Sequence, residues 1–514
     1  EPEWLLKGEP RPAQIEALRR SYYGHWMKDG ENDPNTTGYR LVNNDGLGRT
    51  GPARGWGHFM EQRLGKTPVL LNEFELFRRD HGFRWAVVVA PQQFKPEWPD
   101  EADRFGLSAP AYLFSSDRRD DAQGWVDRNR KHGGLIAINY EAILYDNTLA
   151  FLEQIAGPES LIAFDESVSI KNSDGKLAKN ALEISKKFKV RRGLTGKPVV
   201  AGAHDLYMQL RAIGELNGVN PIGFKNRYCK MGGFQGKKPI GVKTERLEEL
   251  HSIIVGCSFP ARRVDWMKTP ATEYVTRHLN MLPEQKVHYR RMEEEFITEI
   301  SRLIEDAGGE ITEELIVIAA DQITTKLLKL QQIASGFIID ENGVPHDIMP
   351  AKVNPKLQEV KRMLTDEIDN KTIIFAHHTH SIDLLREALA EFQPAFIVGD
   401  AQAKRFGVDV QSEKRRFNGD PKCRVVVGQG LAIRYGHTLM GSPEDPCLTE
   451  IFYENTYDLN TRSQCEERPQ GKGQMGAISA YDFVSAPIEA RTIQALVEKE
   501  DVSAAAMNYA RETG

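Results

Sequence analysis

The sequence predicts an α/β protein with two tandem domains, each built around a mostly parallel sheet. Short apolar runs alternate with helical patterns, and this rhythm occurs in both halves of the chain. Such runs, each followed by a turn or helix signal, are typical of strands buried on both faces of a parallel sheet. The length of 514 residues exceeds what one hydrophobic core ordinarily supports, so at least two domains are expected.

The candidate strands are the short apolar runs. In the first half they are Trp85–Ala90, Leu135–Asn139, Leu161–Asp165 and Arg192–Thr195. In the second half they are Thr372–Ala376, Ala395–Gly399, Arg424–Gly428, Ile451–Glu454 and Ala480–Val484. Together they predict one sheet in each half, covered by helices.

Other segments predict helices and a loop around these strands. Glu284–Asp306 and Glu313–Ala334 carry apolar residues at helical spacing, and Ile488–Lys499 predicts an amphipathic helix. Asp29–Gly55 is rich in Gly, Asn and Asp and predicts a long loop. All seven tryptophans precede residue 267, which is consistent with a domain change near residues 265–280.

Composition indicates a soluble globular protein. Apolar residues make up 40% and charged residues 27% of the chain. No run of apolar residues is long enough to span a membrane, and the start, Glu1-Pro2-Glu3-Trp4, lacks the features of a signal peptide. Five scattered cysteines without a CxxC pair argue against a zinc site and for free thiols in a reducing compartment, so we expect a cytoplasmic protein. The net charge of −6 does not indicate a nucleic-acid binder, so that function must rest on local sites.

A phosphate-binding loop is predicted at Leu64, Gly65, Lys66 and Thr67. The lysine and the threonine stand where a helix begins, with Pro68 in its first turn and Gly82 at its end. The helix N-terminus and the lysine are suited to the phosphates of a nucleotide. A similar string at residues 46–50 has arginine in place of lysine and is followed by Gly-Pro, which does not readily start such a helix.

A pair of carboxylates, Asp165 and Glu166, follows the apolar run Leu161–Phe164. Placed at the tip of a buried strand, Asp165 can hold Mg²⁺ together with Thr67, and Glu166 can orient the attacking water. An isolated pair of this kind is more often a surface turn. The catalytic interpretation is favoured because the phosphate loop precedes it.

The order of the motifs resembles the Swi/Snf-type branch of helicase superfamily two, the DNA-translocating ATPases, over roughly residues 10–500. The motifs that carry the resemblance include Gly65–Thr67, Asp165-Glu166 with Ile170-Lys171-Asn172, Leu194–Pro198, Gly436–Leu439, and Gln464 to Arg468 with Gly473-Gln474. The compact size is similar to versions found in bacteriophages, so we expect a phage-encoded protein in a bacterial host cytoplasm.

The resemblance implies two RecA-like P-loop lobes that use ATP and Mg²⁺ and bind double-stranded DNA. Arg11 and Gln14 would contact the nucleotide, with the glutamine on the adenine edge. Gln464 would also lie near the nucleotide, and Arg468 would be the arginine finger for charge on the γ-phosphate. The predicted domains are an ATP-binding lobe (1–265), a linker and helical insertion (266–350), a second lobe (351–485) and a terminal helix (486–514).

Several positions depart from the family pattern. Gly471, followed by Lys472, replaces a second arginine, Met60 stands where the phosphate loop usually has glycine, and Lys197 stands where the third motif has threonine. These departures leave open an alternative: a weak or inactive ATPase that acts as an ATP-switched DNA- or protein-binding factor. A third option is the motor subunit of a larger restriction or repair machine.

Basic residues toward the end of the first half are the candidate DNA contacts. They are Lys197, Lys225, Arg227, Lys237 and Lys238. Most lie in a glycine-rich stretch with aromatic residues, which suits a phosphate backbone, although a solvated loop is an equal alternative. The separate cluster from Lys186 to Arg192 is interpreted as charges at a helix end.

Overall fold

A computed structural model defines the two halves of the chain as separate compact units, Glu1–Lys268 and Thr269–Gly514. The residues that the structure describes are 2–23, 52–92, 94–199, 202–232, 238–267, 272–306, 325–433, 438–456, 458–470, 474 and 476–498. The string at residues 46–50 and most of the predicted loop 29–55 lie outside them. Among the described residues, no helix is both long and apolar enough to cross a bilayer.

Unit 1 is built on a six-stranded sheet in which every neighbouring pair is parallel. Its strands are β1 (Gly55–His58), β2 (Trp85–Ala90), β3 (Ala111–Leu113), β4 (Gly134–Asn139), β5 (Ser160–Asp165) and β6 (Val190–Leu194). Their order across the sheet is β1-β6-β5-β2-β4-β3. A separate antiparallel pair follows, β7 (Cys229–Gly232) and β8 (Lys238–Val242).

Helices cover both faces of this sheet. They are α1 (Pro12–Ser21), α2 (Lys66–His81), α3 (Glu97–Phe105), α4 (Arg119–Asn129), α5 (Asp146–Ile155), α6 (Lys176–Ser185), α7 (Asp205–Ala212), α8 (Pro221–Tyr228), α9 (Leu247–Cys257) and α10 (Arg263–Trp266). Within β2, Val87 and Val89 belong to one buried cluster, whereas Ala86 and Val88 belong to the other. Because successive side chains point to opposite faces, one strand joins two cores and is apolar throughout.

Unit 2 contains a second six-stranded parallel sheet, in the order β13-β14-β12-β15-β16-β9. Its strands are β9 (Thr272–His278), β12 (Lys371–Ala376), β13 (Ala395–Ile397), β14 (Val425–Gln429), β15 (Cys447–Phe452) and β16 (Ile478–Val484), and a small antiparallel pair is formed by β10 (Phe337–Ile339) and β11 (Pro345–Asp347).

The helices of unit 2 lie between and after these strands. They are α11 (Pro283–Asp306), α12 (described as residues 325–334), α13 (Pro355–Arg362), α14 (Thr379–Ala388), α15 (Asp400–Phe406), α16 (Val410–Gly419), α17 (Gly430–Ile433), α18 (Leu459–Glu466) and α19 (Pro487–Glu498). The predicted fold class, two tandem α/β lobes with parallel sheets, is confirmed.

Three strands of the two six-stranded sheets, β1, β3 and β9, are absent from the predicted set, as are the four strands of the two small antiparallel pairs. The first contains two glycines in Gly55–His58 and so has little apolar character of its own. The third, Thr272–His278, is the edge strand of the second sheet, with half-buried and exposed residues along its length. Edge and glycine-containing strands lack a continuous apolar run, and pairing with a neighbour defines them instead.

Candidate nucleotide site

Three segments of unit 1 converge at one edge of its sheet. In a parallel sheet the carboxyl ends of all strands lie at the same edge, which is where ligands bind in open α/β folds. The segment after β1 leads into the predicted phosphate loop. Asp165 ends β5, and it pairs in register with Leu194 at the end of β6.

The phosphate loop ends in a glycine that no other residue can replace without strain. Gly65 has a left-handed backbone with φ of 87° and immediately precedes α2. A Cβ at this position would lie 2.1 Å from Nε2 of Gln14. The turn therefore needs glycine for its backbone angle, and any side chain here would also have to displace the Gln14 amide. The Gly65 turn directs the N–H groups of the first turn of α2 toward the loop. Thr67 is the second residue of this helix.

Lys66 contacts the backbone of the loop that it follows. Its Nζ donates a hydrogen bond to the carbonyl oxygen of Met60 at 2.9 Å. The Met60 side chain is fully buried in the core. Methionine can therefore stand where the phosphate loop usually has glycine, because its carbonyl faces Lys66 while its side chain packs into the core.

Arg11 and Gln14, predicted as nucleotide contacts, lie against the same loop. The Arg11 N–H donates to Oε1 of Gln14 at 2.7 Å, and Nε2 of Gln14 donates to the carbonyl of Gly65 at 3.3 Å. The Arg11 guanidinium donates to the carbonyl of Arg63, a residue that also has a positive φ. The start of α1 and the phosphate loop are thus joined by polar contacts. Leu64, also predicted here, is fully buried beneath the loop.

Asp165 is half-buried among groups that hold its carboxylate and its backbone carbonyl in place. Trp98 donates its indole N–H to Oδ2 at 3.1 Å, and the Tyr140 hydroxyl donates to the Asp165 carbonyl at 2.8 Å. Burial, reinforced by the negative charge of Glu166, raises the pKa of Asp165 to about 7, whereas the positive charge of Lys66 acts in the opposite direction. The influence of Lys66 on this pKa places the lysine and the carboxylate in one electrostatic environment.

Glu166 has a strained backbone that aims its side chain away from the strand. Its φ is 49°, in the left-handed region that glutamate seldom adopts. The Thr195 hydroxyl donates to Oε2 of Glu166 at 3.1 Å, and the backbone N–H of Lys197 donates to the same hydroxyl oxygen at 3.2 Å. The loop after β6 therefore holds the glutamate, and Lys197 lies at this edge rather than on a remote surface.

The residues present fit a magnesium ion. A carboxylate whose pKa is raised by desolvation gains a compensating charge when a divalent cation binds beside it. Oxygen donors are what Mg²⁺ prefers, and one or two carboxylates with substrate phosphates usually suffice. Asp165 would supply the carboxylate, and the hydroxyl of Thr67, one residue after Lys66, would supply a second donor.

A buried cluster that sequence reasoning missed holds α2 in place behind the loop. Glu73 on α2 accepts hydrogen bonds from Nε of Arg192 at 3.0 Å and Nη2 at 3.2 Å. Nε2 of His58 lies 2.9 Å from the same carboxylate, and the Ser21 hydroxyl also donates to it. The cluster joins α1, α2, β1 and β6 and is inaccessible to solvent. Arg192 is therefore not part of the predicted helix-end cluster. The only sequence signal was that Glu73 and Arg192 each stand inside an otherwise apolar helix or strand pattern.

We expect Glu73→Gln to lower the free energy of unfolding by about 3–5 kcal/mol at neutral pH, because it leaves the buried Arg192 charge unpaired. The Arg192 and His58 charges outweigh burial and hold the pKa of Glu73 well below its usual value. A carboxyl group whose pKa is lower in the folded than in the unfolded state stabilises the fold at pH values above its unfolded pKa. This stabilisation is lost as the pH falls through the folded pKa. Denaturant titrations at a series of acidic pH values should therefore show that the free energy of unfolding falls more steeply with pH in the parent protein than in Glu73→Gln.

A surface pair provides the control for that experiment. Arg84 Nε lies 2.5 Å from Glu159, and both side chains are nearly half exposed. Exposed pairs contribute about 0–1 kcal/mol, so Glu159→Gln should change stability little. Equal losses from the two substitutions would contradict the importance given to the buried cluster.

Unit 2 places Arg468 and Gln464 at the end of α18. Nε of Arg468 donates to the carbonyl of Gln464 at 2.7 Å, and the side chain of Arg468 is 2% exposed. The arginine is therefore anchored by its own helix. Gly471 and Lys472, where the family pattern is broken, lie outside the described residues.

Glu450 on β15 is a second residue that sequence reasoning missed. It is fully buried, and neither carboxylate oxygen has a hydrogen-bond partner among the described residues. Burial raises the pKa of Glu450 well above its usual value, and the Glu466 charge acts in the same direction, whereas Arg462 and Arg468 oppose it. Arg462 itself pairs with Asp482 and Glu466. A single acidic residue inside the apolar run of β15 was the available signal.

The predicted DNA contacts that the structure describes lie on neighbouring elements of unit 1 and in the loop after β6. Arg227 forms a two-point ion pair with Glu249 at 2.7 and 2.9 Å. Lys225 lies on α8, Lys238 begins β8, and Lys237 lies outside the described residues. Arg227 would have to leave Glu249 to contact a phosphate with both of its nitrogens.

Comparisons with known proteins give distant similarity over most of the chain. No family model matches. The chain is 21% identical over 433 residues to the Xenopus tropicalis "SWI/SNF-related matrix-associated actin-dependent regulator of chromatin subfamily A-like protein 1", which covers 82% of the chain and 40% of that relative. It is 20% identical over 442 residues to the human "DNA annealing helicase and endonuclease ZRANB3", which covers 83% of the chain and 36% of that relative. The chain thus spans less than half the length of these relatives.

Among solved structures, the chain is similar to one described as "Sulfolobus solfataricus SWI2/SNF2 ATPase core in complex with dsDNA". The identity is 18%, the match covers 99% of this chain and 96% of that one, and the TM-score is 0.42.

Proposed function

The chain belongs to the Swi/Snf-type branch of helicase superfamily two, and from this premise we propose that it is an ATP-driven motor that moves along double-stranded DNA. One observation carries the proposal. Lys66, at the start of α2, and Asp165, at the end of β5, both lie at the carboxyl edge of one parallel sheet, and Nζ of Lys66 already contacts the loop that leads from β1. A lysine, a helix N-terminus and a carboxylate in this arrangement are what nucleotide triphosphate hydrolysis requires.

Each side chain of the site has a separate role in the proposed reaction. Lys66 exchanges the Met60 carbonyl for the β- and γ-phosphates, where its charge stabilises the developing negative charge. The N–H groups at the start of α2 bind the same phosphates. Gln14, already beside Gly65, is the proposed contact to the base.

Glu166 orients the attacking water and accepts its proton. The hydrogen bond from Thr195 keeps the carboxylate in one position, and the strained backbone prevents it from following the strand direction. Asp165 and Thr67 would hold Mg²⁺, which supplies charge neutralisation at the phosphates when bound.

Arg468 is the proposed finger residue from unit 2. A guanidinium contributed by one unit to phosphate bound by the other makes hydrolysis depend on closure of the units, and so couples chemistry to movement. The helix-anchored Arg468 supports this role because a fixed donor loses little entropy when it acts.

Double-stranded DNA is the proposed track. One relative is named a DNA annealing helicase, and another is named a regulator of chromatin. Lys197, Lys225, Arg227, Lys237 and Lys238 remain the proposed contacts in unit 1. Of these, Lys197 lies beside the Thr195 that holds Glu166, so a phosphate bound there would be close to the catalytic edge.

The experiment that tests the proposal measures ATP turnover with duplex DNA, single-stranded DNA and RNA in parallel. We expect duplex DNA to stimulate turnover most. Equal rates with and without each nucleic acid would contradict a DNA-dependent motor.

A second candidate function is an ATP-switched binding factor with slow or absent turnover. The departures from the family pattern at Met60 and Lys197 favour it, and so does the raised pKa of Asp165, because a protonated carboxyl group does not bind Mg²⁺. Nucleotide-dependent DNA or protein affinity without stimulated turnover would support this candidate over the motor.

We expect Arg468→Lys to reduce DNA-stimulated turnover by about 10²–10³-fold, because lysine keeps the charge and loses the planar guanidinium contacts. The measurement is steady-state phosphate release at saturating ATP and duplex DNA. Arg405→Lys, which alters an exposed ion pair with Asp383, is the control and should leave the rate unchanged. A fully active Arg468→Lys protein would remove this residue from the mechanism.

A further inference from the structure

A basic cavity lies in unit 1 beyond the groups used above. Its volume is about 640 Å³, and five cationic residues line it: Arg54, Lys186, Lys187, Lys189 and Arg191. A single carboxylate, Glu215, is part of the lining. The cavity surface is therefore strongly positive although the chain as a whole is acidic.

The cavity is at the opposite edge of the sheet from the nucleotide site. Arg54 immediately precedes β1, and Lys189 and Arg191 stand at the start of β6. The nucleotide site is at the other ends of the same strands, where Met60 and Thr195 lie. The two sites are separated by the length of the strands, so the cavity is not a part of the nucleotide site.

Backbone geometry shapes the cavity wall. A Cβ on Gly55 would lie 1.8 Å from the carbonyl oxygen of Ile213, and Gly214 has a left-handed φ of 97°. A Cβ on Gly214 would lie 3.1 Å from Nη1 of Arg191. The glycines therefore allow the 213–217 loop to approach β1 and Arg191 closely.

Three of these five cations form no ion pair with any residue that the structure describes. Lys186 pairs with Glu183, and Lys187 lies 3.7 Å from Glu153. Neither Arg54 nor Lys189 forms an ion pair with another described residue, and the Arg191 guanidinium reaches only the Lys186 carbonyl, at 3.5 Å. Cations gathered in a hollow repel one another, and an anion that enters it removes this repulsion.

We propose that this cavity binds a compact polyphosphate, a small ligand with several phosphate groups. The volume is in the range of small-molecule sites, about 300–1,000 Å³. Lysine and arginine side chains from separate segments converge on one hollow, which suits closely spaced phosphates. A duplex backbone spreads its charges along an axis and is better matched by an extended strip of cations.

The probe is inorganic tripolyphosphate. It is titrated into the Lys66→Ala protein, which serves as the host, so that the phosphate loop does not compete with the cavity for the probe. Isothermal titration calorimetry should show one binding site. Lys187→Glu with Lys189→Glu should weaken binding at least about tenfold, since each lost charge-assisted contact is worth that much. Lys176→Glu with Lys179→Glu, which makes the same charge change at exposed positions on α6, should not weaken it.

The neutral variant Arg54→Gln with Lys189→Gln guards against misfolding, and its unfolding midpoint should match that of the host. It should also weaken tripolyphosphate binding. Absence of binding to the Lys66→Ala host, or equal weakening by the α6 control, would overturn the proposal. So would a loss of duplex DNA affinity as large as the loss of tripolyphosphate affinity, because the cavity would then be a nucleic-acid surface. None of these outcomes depends on whether the protein is a motor.

Discussion

Lys66→Ala is expected to reduce ATP turnover by more than about 10³-fold, because loss of a single preorganised donor costs about 10²–10³-fold and Lys66 is proposed to serve two phosphates. In the structure Nζ of Lys66 donates to the Met60 carbonyl, so the lysine is already held at the loop by a backbone contact. Removing it also removes the charge that opposes the raised pKa of Asp165. Phosphate release at saturating duplex DNA measures the effect.

Lys131→Ala is the control for Lys66→Ala, since Lys131 is exposed in the turn before β4. Its turnover should equal that of the parent protein. Nucleotide binding, followed by displacement of a fluorescent ATP analogue, should weaken in Lys66→Ala and not in Lys131→Ala. Retained DNA-stimulated turnover in Lys66→Ala would refute the position assigned to the nucleotide.

Glu166→Gln is expected to slow turnover by about 10²–10⁴-fold, the usual contribution of a positioned general base, while ATP binding persists. The glutamine oxygen can still accept the hydrogen bond from Thr195, so the side chain keeps its place and loses only its basicity. Bound ATP should therefore accumulate unhydrolysed. Single-turnover assays with radiolabelled ATP separate this trapped state from simple loss of binding.

Asp165→Asn distinguishes the two adjacent carboxylates. Asp165 is the proposed magnesium ligand, so its amide should weaken Mg²⁺-dependent ATP binding, an effect that Glu166→Gln should not share. Thr195→Val, which removes the hydroxyl that holds Glu166, should lower turnover in the same way as Glu166→Gln but less. Identical binding defects in Asp165→Asn and Glu166→Gln would mean that the two roles are wrongly divided.

Residue patterns were sufficient for the central strands and for the helix after the phosphate loop. Trp85–Ala90 was predicted with the bounds that the structure has, and α2 ends at the predicted Gly82. A strand buried on both faces must be apolar along its whole length, so it is visible without its neighbours. The edge strand Thr272–His278 has no such run, because one side of it has no partner strand.

The sequence by itself determined the fold class and the parallel sheets, and it supplied the residue types of the proposed nucleotide site, because local apolar periodicity and short motifs encode them. Only the tertiary structure decided what surrounds those residues. It brought Thr195 to Glu166, Trp98 to Asp165, and Arg192 to Glu73 across 119 positions of the chain. Contacts between distant segments depend on strand order and packing, and no local pattern records them. The basic cavity arises in the same way, since Arg54 and Lys189 meet only because β1 and β6 are neighbours in the sheet.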